Sequence, residues 1–330
     1  MMRFAVETWA PDYGASVDAA ALAGSDADVD LGVERDPAAW APVRLGAGAA
    51  PAACVLFVDG VQRIDARIWI TGDRPADQTG EQTRQGVCAS WAAGVVRCDD
   101  VARVVTTEVR RGVLCPGALC PGAPVDPITT RHGDYRPYPV PGTGGEPIAQ
   151  ALGRARGDLE ARVAVEAMRS GECTAELLVV DGPLGDRRHI PGAVGYVKTH
   201  HVSYLPSALQ PVATSLDVGD RTPLFAVGGR RFRYSWYLRL PGAATHPWWG
   251  IVRCEASGDL IRAEALQLAD RVTTTLPRFA SQPHNDPRAP QNLHPIAGLE
   301  RELRRRLGDP AVIDRALRRA ARSAATGSAA

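Results

Sequence analysis

The chain has 330 residues, 45% hydrophobic and 23% charged, which is enough for one large or two ordinary globular domains. A formal net charge of +1 excludes a chain-wide field for polyanions, so any contact with nucleic acid has to come from local patches. No apolar run reaches the roughly 18 residues of a membrane span, and MMRFAVETWAPDY lacks the apolar core of a secretory signal. Together with seven scattered cysteines, an odd number, this predicts a cytoplasmic protein with reduced thiols and no membrane partner. All but one of the 38 basic residues are arginine, the exception being Lys198, so arginine richness by itself says little about phosphate binding.

Residues 1–50 are rich in Ala, Asp and Gly and read as an N-terminal extension packing on the core, with an edge strand at 5–17. Residues 54–70, CVLFVDGVQRIDARIWI, read as two strands joined by a hairpin at Asp59-Gly60, the first delivering a carboxylate at its end. Residues 74–85 read as loop, and 86–98 and 102–113 as two further strands of an antiparallel run. Cys115 and Cys120 have a spacing within the range of zinc sites, but no second pair follows, and a Pro/Gly turn accounts for them. Residues 116–147, dense in Pro and Gly, read as one long loop. A helix follows at 146–170, with Ile148, Leu152, Ala155, Leu159 and Val163 at helical spacing. Strands are expected at 176–180, ending in Asp181-Gly182, and at 192–200, 223–227, 231–240 and 248–255. Helices are expected at 258–276, 296–307 and 310–321, with a polar, Pro-broken stretch at 282–293. The expected organisation is an extension over 1–50, a catalytic domain over 51–310 and a C-terminal helix with a frayed tail over 311–330.

Two buried strands that each end in Asp-Gly suggest carboxylates meeting at one edge of a sheet. Strand, hairpin, strand, helix, then a strand ending in an acid is the order of a ribonuclease H-like core: an α/β mixed sheet with flanking helices, extended here by extra strands and C-terminal helices. Hard carboxylate oxygens suit Mg²⁺ or Mn²⁺, and two such ions can activate water and stabilise the leaving oxygen of a phosphodiester. The strand before Asp181 rises roughly 16 Å. About eleven helical residues at ~1.5 Å each return to the same level. Counted back from Ser170, this reaches Glu160, with Glu166 as the runner-up. Lys198, on an apolar strand just after the second Asp, is placed to neutralise a phosphate. Arg231, Arg233 and Arg239 interleave with Tyr234, Trp236 and Tyr237, a pattern that either stacks bases and grips a backbone or packs a sheet.

The segments VDGVQRIDARI, LLVVDGPL and VGYVKTHH, with the helix between the first two, resemble the NurA family of DNA-repair nucleases over roughly residues 50–310. Val61 stands where many members have Ser. The resemblance implies a ribonuclease H-like fold with metal ligands at Asp59, Glu160 (or Glu166) and Asp181, and Lys198 on the family's lysine. It also implies a C-terminal polar residue in QPHNDPRAPQNLHPI, where Asp286 and His284 are favoured over Asn292 and His294, and Arg288 is placed to hold phosphate. It further implies Mn²⁺ or Mg²⁺ (two ions), a homodimer enclosing DNA, and a HerA-type hexameric ATPase as partner in the processing of double-strand break ends. Two other classes remain open. One is a catalytically inactive ribonuclease H-like module that binds nucleic acid or a partner. The other is an actin-like phosphotransferase or ATPase, for which GTGG at 142–145 is the sequence feature.

Overall fold

The computed structural model describes residues 23–24, 27–46, 49–73, 81–116, 127–140, 148–169, 176–228, 232–242 and 246–327. The edge strand expected at 5–17, Cys120, the GTGG segment and Arg231 lie outside the described residues. The fold is mixed α/β, dominated by a large mixed sheet with flanking helices. Among the described residues the strands are β1 (Ala23–Gly24), β2 (Val29–Asp30), β3 (Val55–Asp73), β4 (Glu81–Cys98), β5 (Ala102–Pro116), β6 (Ile128–Thr130), β7 (Gly133–Val140), β8 (Leu177–Asp181), β9 (Ala193–Val197), β10 (Val202–Ser203), β11 (Phe225–Val227), β12 (Arg233–Arg239) and β13 (Ile251–Ser257), of which β1 and β10 pair apart from the large sheet. The helices are α1 (Ile148–Arg169), α2 (Gln210–Thr214), α3 (Arg262–Thr275), α4 (His294–Leu307) and α5 (Pro310–Gly327). Within the sheet the run β5-β4-β3-β8-β9, with parallel pairs β3–β8 and β8–β9, has the ribonuclease H-like order.

The chain divides into two compact units, the first made of 1–58, 96–104 and 167–298, the second of 59–95, 105–166 and 299–330. In the first, the strand order is β2-β11-β12-β13-β9-β8-β3. Strands β8 and β9 are apolar at nearly every position, as strands covered on both faces require. Trp40, Phe225, Tyr237 and Ile251 pack into one cluster on this unit. Arg221, 1% exposed, is held by Glu34 at 2.7 Å and Asp270 at 2.7 Å, so its buried charge is paired on both sides.

In the second unit the strand order is β3-β4-β5-β7-β6. Here α1 buries Ala151, Leu152, Ala155, Leu159 and Val163, the face its periodicity predicts. Each full-size aliphatic side chain on that face is worth ~1.5–3 kcal/mol of burial. Asp65 anchors a polar network in this unit. It accepts from Arg63 Nε at 2.7 Å, Tyr135 Oη at 2.8 Å and the Ser90 hydroxyl. Arg111 Nη2 goes on to donate to the last carbonyl of α4, Leu307 (3.2 Å), and Arg63 Nη1 to the Gly308 carbonyl just past it (2.7 Å), where a helix leaves acceptors unfilled.

Four local expectations are corrected. The hairpin at Asp59-Gly60 does not form, because β3 runs unbroken for 19 residues and Gly60 lies inside it without a positive φ. The glycine serves close approach instead: a Cβ there would lie 2.6 Å from Glu160 Oε1 and 3.1 Å from the Ala92 carbonyl. The polar stretch before Gly86 is not all loop, since β4 already starts at Glu81. The long loop at 116–147 contains the β6–β7 hairpin, turned at Gly133 (φ +118°) and tied by Thr130 Oγ1 donating to the Gly133 carbonyl at 2.8 Å. Pro137 and Pro139 are tolerated because they lie beyond the three residues of β6 that pair with β7, on an edge where no described strand calls for an N–H. Finally, the thiols are not all reduced. Cys54 is in a disulfide whose partner lies outside the described residues, whereas Cys88, Cys98, Cys115 and Cys254 are thiols, not disulfide-bonded. The scattered spacing of the seven cysteines gives no signal of this bond. No described helix is long and apolar enough to cross a membrane.

Candidate metal centre

Parallel pairing of β3 and β8 runs from Val55↔Leu177 to Val58↔Val180. The next residue of each strand is an acid, Asp59 on β3 and Asp181 on β8. Paired residues of neighbouring strands point to the same face, so the register directs both carboxylates to one side of the sheet.

Asp181 is the best-defined acid. Its Oδ2 accepts from Lys198 Nζ at 2.7 Å. Lys198 Nζ also donates to Asn292 Oδ1 at 2.9 Å, and Asn292 Nδ2 donates to Asp286 Oδ2 at 2.7 Å. Asp286 Oδ1 accepts from the Arg288 backbone N–H at 2.7 Å, with Arg288 Nε at 3.7 Å. This relay is almost dry: Asn292 is 0% and Asp286 6% exposed. The backbone fixes it from below, where the Tyr196 hydroxyl donates to the Gln291 carbonyl at 2.6 Å and the Gly182 amide to the Tyr196 carbonyl at 2.8 Å. Burial pushes the Tyr196 phenol well above its ordinary range, so it stays a neutral donor. The other oxygen, Asp181 Oδ1, is buried and accepts no hydrogen bond from any described residue.

Asp59 is 4% exposed, and its Oδ1 accepts from the Gly60 amide at 2.7 Å. Glu160 on α1 is 3% exposed and packs over Gly60, with Arg156 Nε at 3.3 Å from its Oε1 and Arg156 Nη1 at 3.3 Å from the Gly60 carbonyl. Glu166, the other helix acid considered, is exposed. Glu300 on α4 is 7% exposed and sits 3.5 Å from Arg304. Asp59 and Glu300 are buried acids of the second unit, and Asp181 is a half-buried acid of the first. The donor set fits a hard divalent cation, being all carboxylate oxygen. The unfilled Asp181 Oδ1 fits it as well, because a buried carboxylate oxygen otherwise keeps a donor.

Glu300 was missed in the sequence, yet the signal was there. Ile296, Leu299, Leu303 and Leu307 line the apolar face of α4, and Glu300 falls at i+4 from the first and i−3 from the third. An acid on an apolar helix face is held there for a reason. Its neighbour Glu302 lies off that face and pairs with Arg305 (2.8 Å) and Arg306 (2.7 Å), which hold its carboxyl down at about 2.

The remaining candidates disperse. His284 is exposed, and no described side chain ties it to the relay. Tyr237 is 1% exposed in the aromatic cluster with Phe225 and Trp248. Tyr234 is 9% exposed and donates to the Leu260 carbonyl at 3.3 Å. Arg233 pairs with Glu255 at 2.8 Å.

No family model matches the chain, and no curated protein matches it. Among solved structures it is similar to the NurA nuclease from Sulfolobus solfataricus, at 8% identity and a TM-score of 0.44, over 80% of this chain and 81% of that one. A likeness at that level says nothing of activity.

Proposed function

We propose that this chain is a metal-dependent DNA nuclease in which Asp59, Asp181 and Glu300, with Glu160, hold Mn²⁺ or Mg²⁺. The observation that carries the reading is Asp181: one oxygen is fixed by Lys198 and the other is buried without a donor among the described residues. When bound, a divalent ion supplies Lewis acidity and charge compensation at a phosphodiester. The chain's own residues do the rest. Asp286 takes the amide N–H of Asn292 and so turns the Asn292 carbonyl toward Lys198. Lys198, held from both sides, keeps Asp181 from rotating and adds a positive charge that phosphate oxygens can share. A homodimer, a HerA-like ATPase partner and a role at double-strand break ends belong to the same proposal and rest on the motif resemblance alone.

The test is cleavage of labelled single- and double-stranded DNA with Mn²⁺, Mg²⁺ or EDTA, using wild type beside Asp59→Asn and Asp181→Asn. Metal-dependent cleavage lost in both variants supports the proposal. A clean wild type that cleaves nothing, even with a HerA-type ATPase added, sinks it.

A further inference from the structure

Glu300 and Asp59 belong to one compact unit, and a carboxylate oxygen of each lies within 4.8 Å of the other. Both acids are buried. Like charges that close repel, so their separation has to be held by rigid neighbours before a cation binds. Alternate residues of a strand point to the same face. Asp59, Arg63 and Asp65 therefore share one face of β3, and it is the face on which α4 lies. Arg63 stands four residues beyond Asp59, ~13 Å along the strand at ~3.3 Å per residue. Leu307 stands seven residues beyond Glu300, ~10.5 Å along the helix at ~1.5 Å per residue. Strand and helix thus run side by side in the same direction and meet at both levels. At the first level are the two acids. At the second, Arg63 Nη1 donates to the Gly308 carbonyl at 2.7 Å and Nη2 to the Leu307 carbonyl at 3.4 Å.

Arg63 is itself fixed. Its Nε donates at 2.7 Å to Asp65, whose side chain is fully buried. Asp65 also accepts from Tyr135 Oη at 2.8 Å and from the Ser90 hydroxyl. Arg111 closes the frame from β5: Nη1 donates to Ser90 Oγ at 2.6 Å, Nε to the His132 carbonyl at 3.0 Å and Nη2 to the Leu307 carbonyl at 3.2 Å. The bonds to Leu307 and Gly308 act along the axis of α4, because the last carbonyls of a helix point along it. Sideways, α4 is set where Leu299 meets β4: a Cβ at Gly94 would lie 3.0 Å from Leu299 Cδ1. Axial sliding is the motion that would carry Glu300 past Asp59, and the arginines oppose it. A slip of one residue, ~1.5 Å, is far beyond the ~0.2 Å within which ligand distances to a metal are held.

We propose that Arg63, locked by Asp65 and joined by Arg111, is a positioning residue that sets the height of α4 and with it the distance from Glu300 to Asp59. The inference rests on the metal reading of these two acids. It is tested by Mn²⁺ titration, followed by the free-ion signal in electron paramagnetic resonance, in a double-mutant cycle of Arg63→Gln and Glu300→Gln, with urea unfolding of every variant. Arg63→Gln weakens Mn²⁺ binding about tenfold, as loss of a side chain that supports a ligand does. In the Glu300→Gln background the same change weakens it less than about twofold, because the ligand to be positioned is gone. Arg63→Lys, which still reaches a carbonyl, recovers part of the affinity. The urea midpoint falls by the same amount in both backgrounds, which separates positioning from stability. Arg111→Gln removes the bond to Leu307 and leaves Arg63 in place; it repeats the pattern at smaller size and stands in should Arg63→Gln not fold. Equal losses of affinity in the two backgrounds, or none in either, overturn the proposal and leave the metal centre standing. No Mn²⁺ binding by wild type overturns the metal reading and this inference with it.

Discussion

His200 should dominate the loss of stability between pH 7.5 and 5. It is 3% exposed, between Tyr237 and Trp248, with its Nε2 at 3.0 Å from the Ile251 carbonyl. Burial lowers its pKa to about 4, against the help of that carbonyl and with Arg253 and His201 adding to the fall. The folded state therefore binds the proton less readily than the unfolded chain, whose histidines titrate near 6.5. Stability from this group is complete above pH 6.5 and is lost as pH falls toward 4. A shift from 6.5 to about 4 gives a loss of about 2 kcal/mol between pH 7.5 and 5. Glu34 and Glu255, whose carboxyls are held low by Arg221 and by Arg253 with Arg233, contribute mainly below their unfolded values near 4.5. The two windows are therefore separable. The assay is urea unfolding at pH 7.5, 6.5, 5.5 and 5 for wild type and His200→Gln, a side chain that can still donate to Ile251 but does not titrate. Wild type should lose about 2 kcal/mol over that range and the variant a small fraction of it. Parallel losses in the two proteins would refute the assignment.

Three further outcomes follow from packing and pairing. Gly60→Ala places a methyl 2.6 Å from Glu160 Oε1 and 3.1 Å from the Ala92 carbonyl, and should cost ~1–3 kcal/mol in urea unfolding. Asp65→Ala leaves Arg63 and Tyr135 facing a gap in a buried network and should cost ~3–5 kcal/mol by the same measurement, with Asp65→Asn recovering part of it. In metal-dependent cleavage, Glu300→Gln should lose at least tenfold in rate, whereas Glu302→Gln, whose partners are the exposed Arg305 and Arg306, should stay within twofold.

The strands around the acids were legible because β-branched runs such as VLFV and LLVV bound by Asp-Gly have few other readings. The helix α1 was legible for the same reason at another period. What failed was the meaning of glycine. Asp59-Gly60 and Asp181-Gly182 look alike in sequence, but Gly182 has φ +96° at a strand end and Gly60 lies inside a long strand under Glu160. Only the tertiary neighbour tells the two apart. The hairpin of β6 and β7 was hidden by prolines that stand where β7 pairs with no described residue on its β6 side. The place of Glu160 on α1 is read from helix and strand rises, whereas Glu300 is legible only from its place on the apolar face of α4. The alternation of Arg233, Tyr234 and Tyr237 on β12 reflects two faces with different work: Tyr237 and Arg233 share one face and Tyr234 the other.

The most direct measurement is a Mn²⁺ titration followed by the loss of the free-ion signal in electron paramagnetic resonance, with wild type beside Asp181→Asn and Glu302→Gln. The account predicts bound Mn²⁺ in wild type and Glu302→Gln, and affinity weakened at least tenfold in Asp181→Asn with the fold intact by circular dichroism. Equal Mn²⁺ binding in wild type and Asp181→Asn, or none in wild type, would contradict a metal centre built on Asp181.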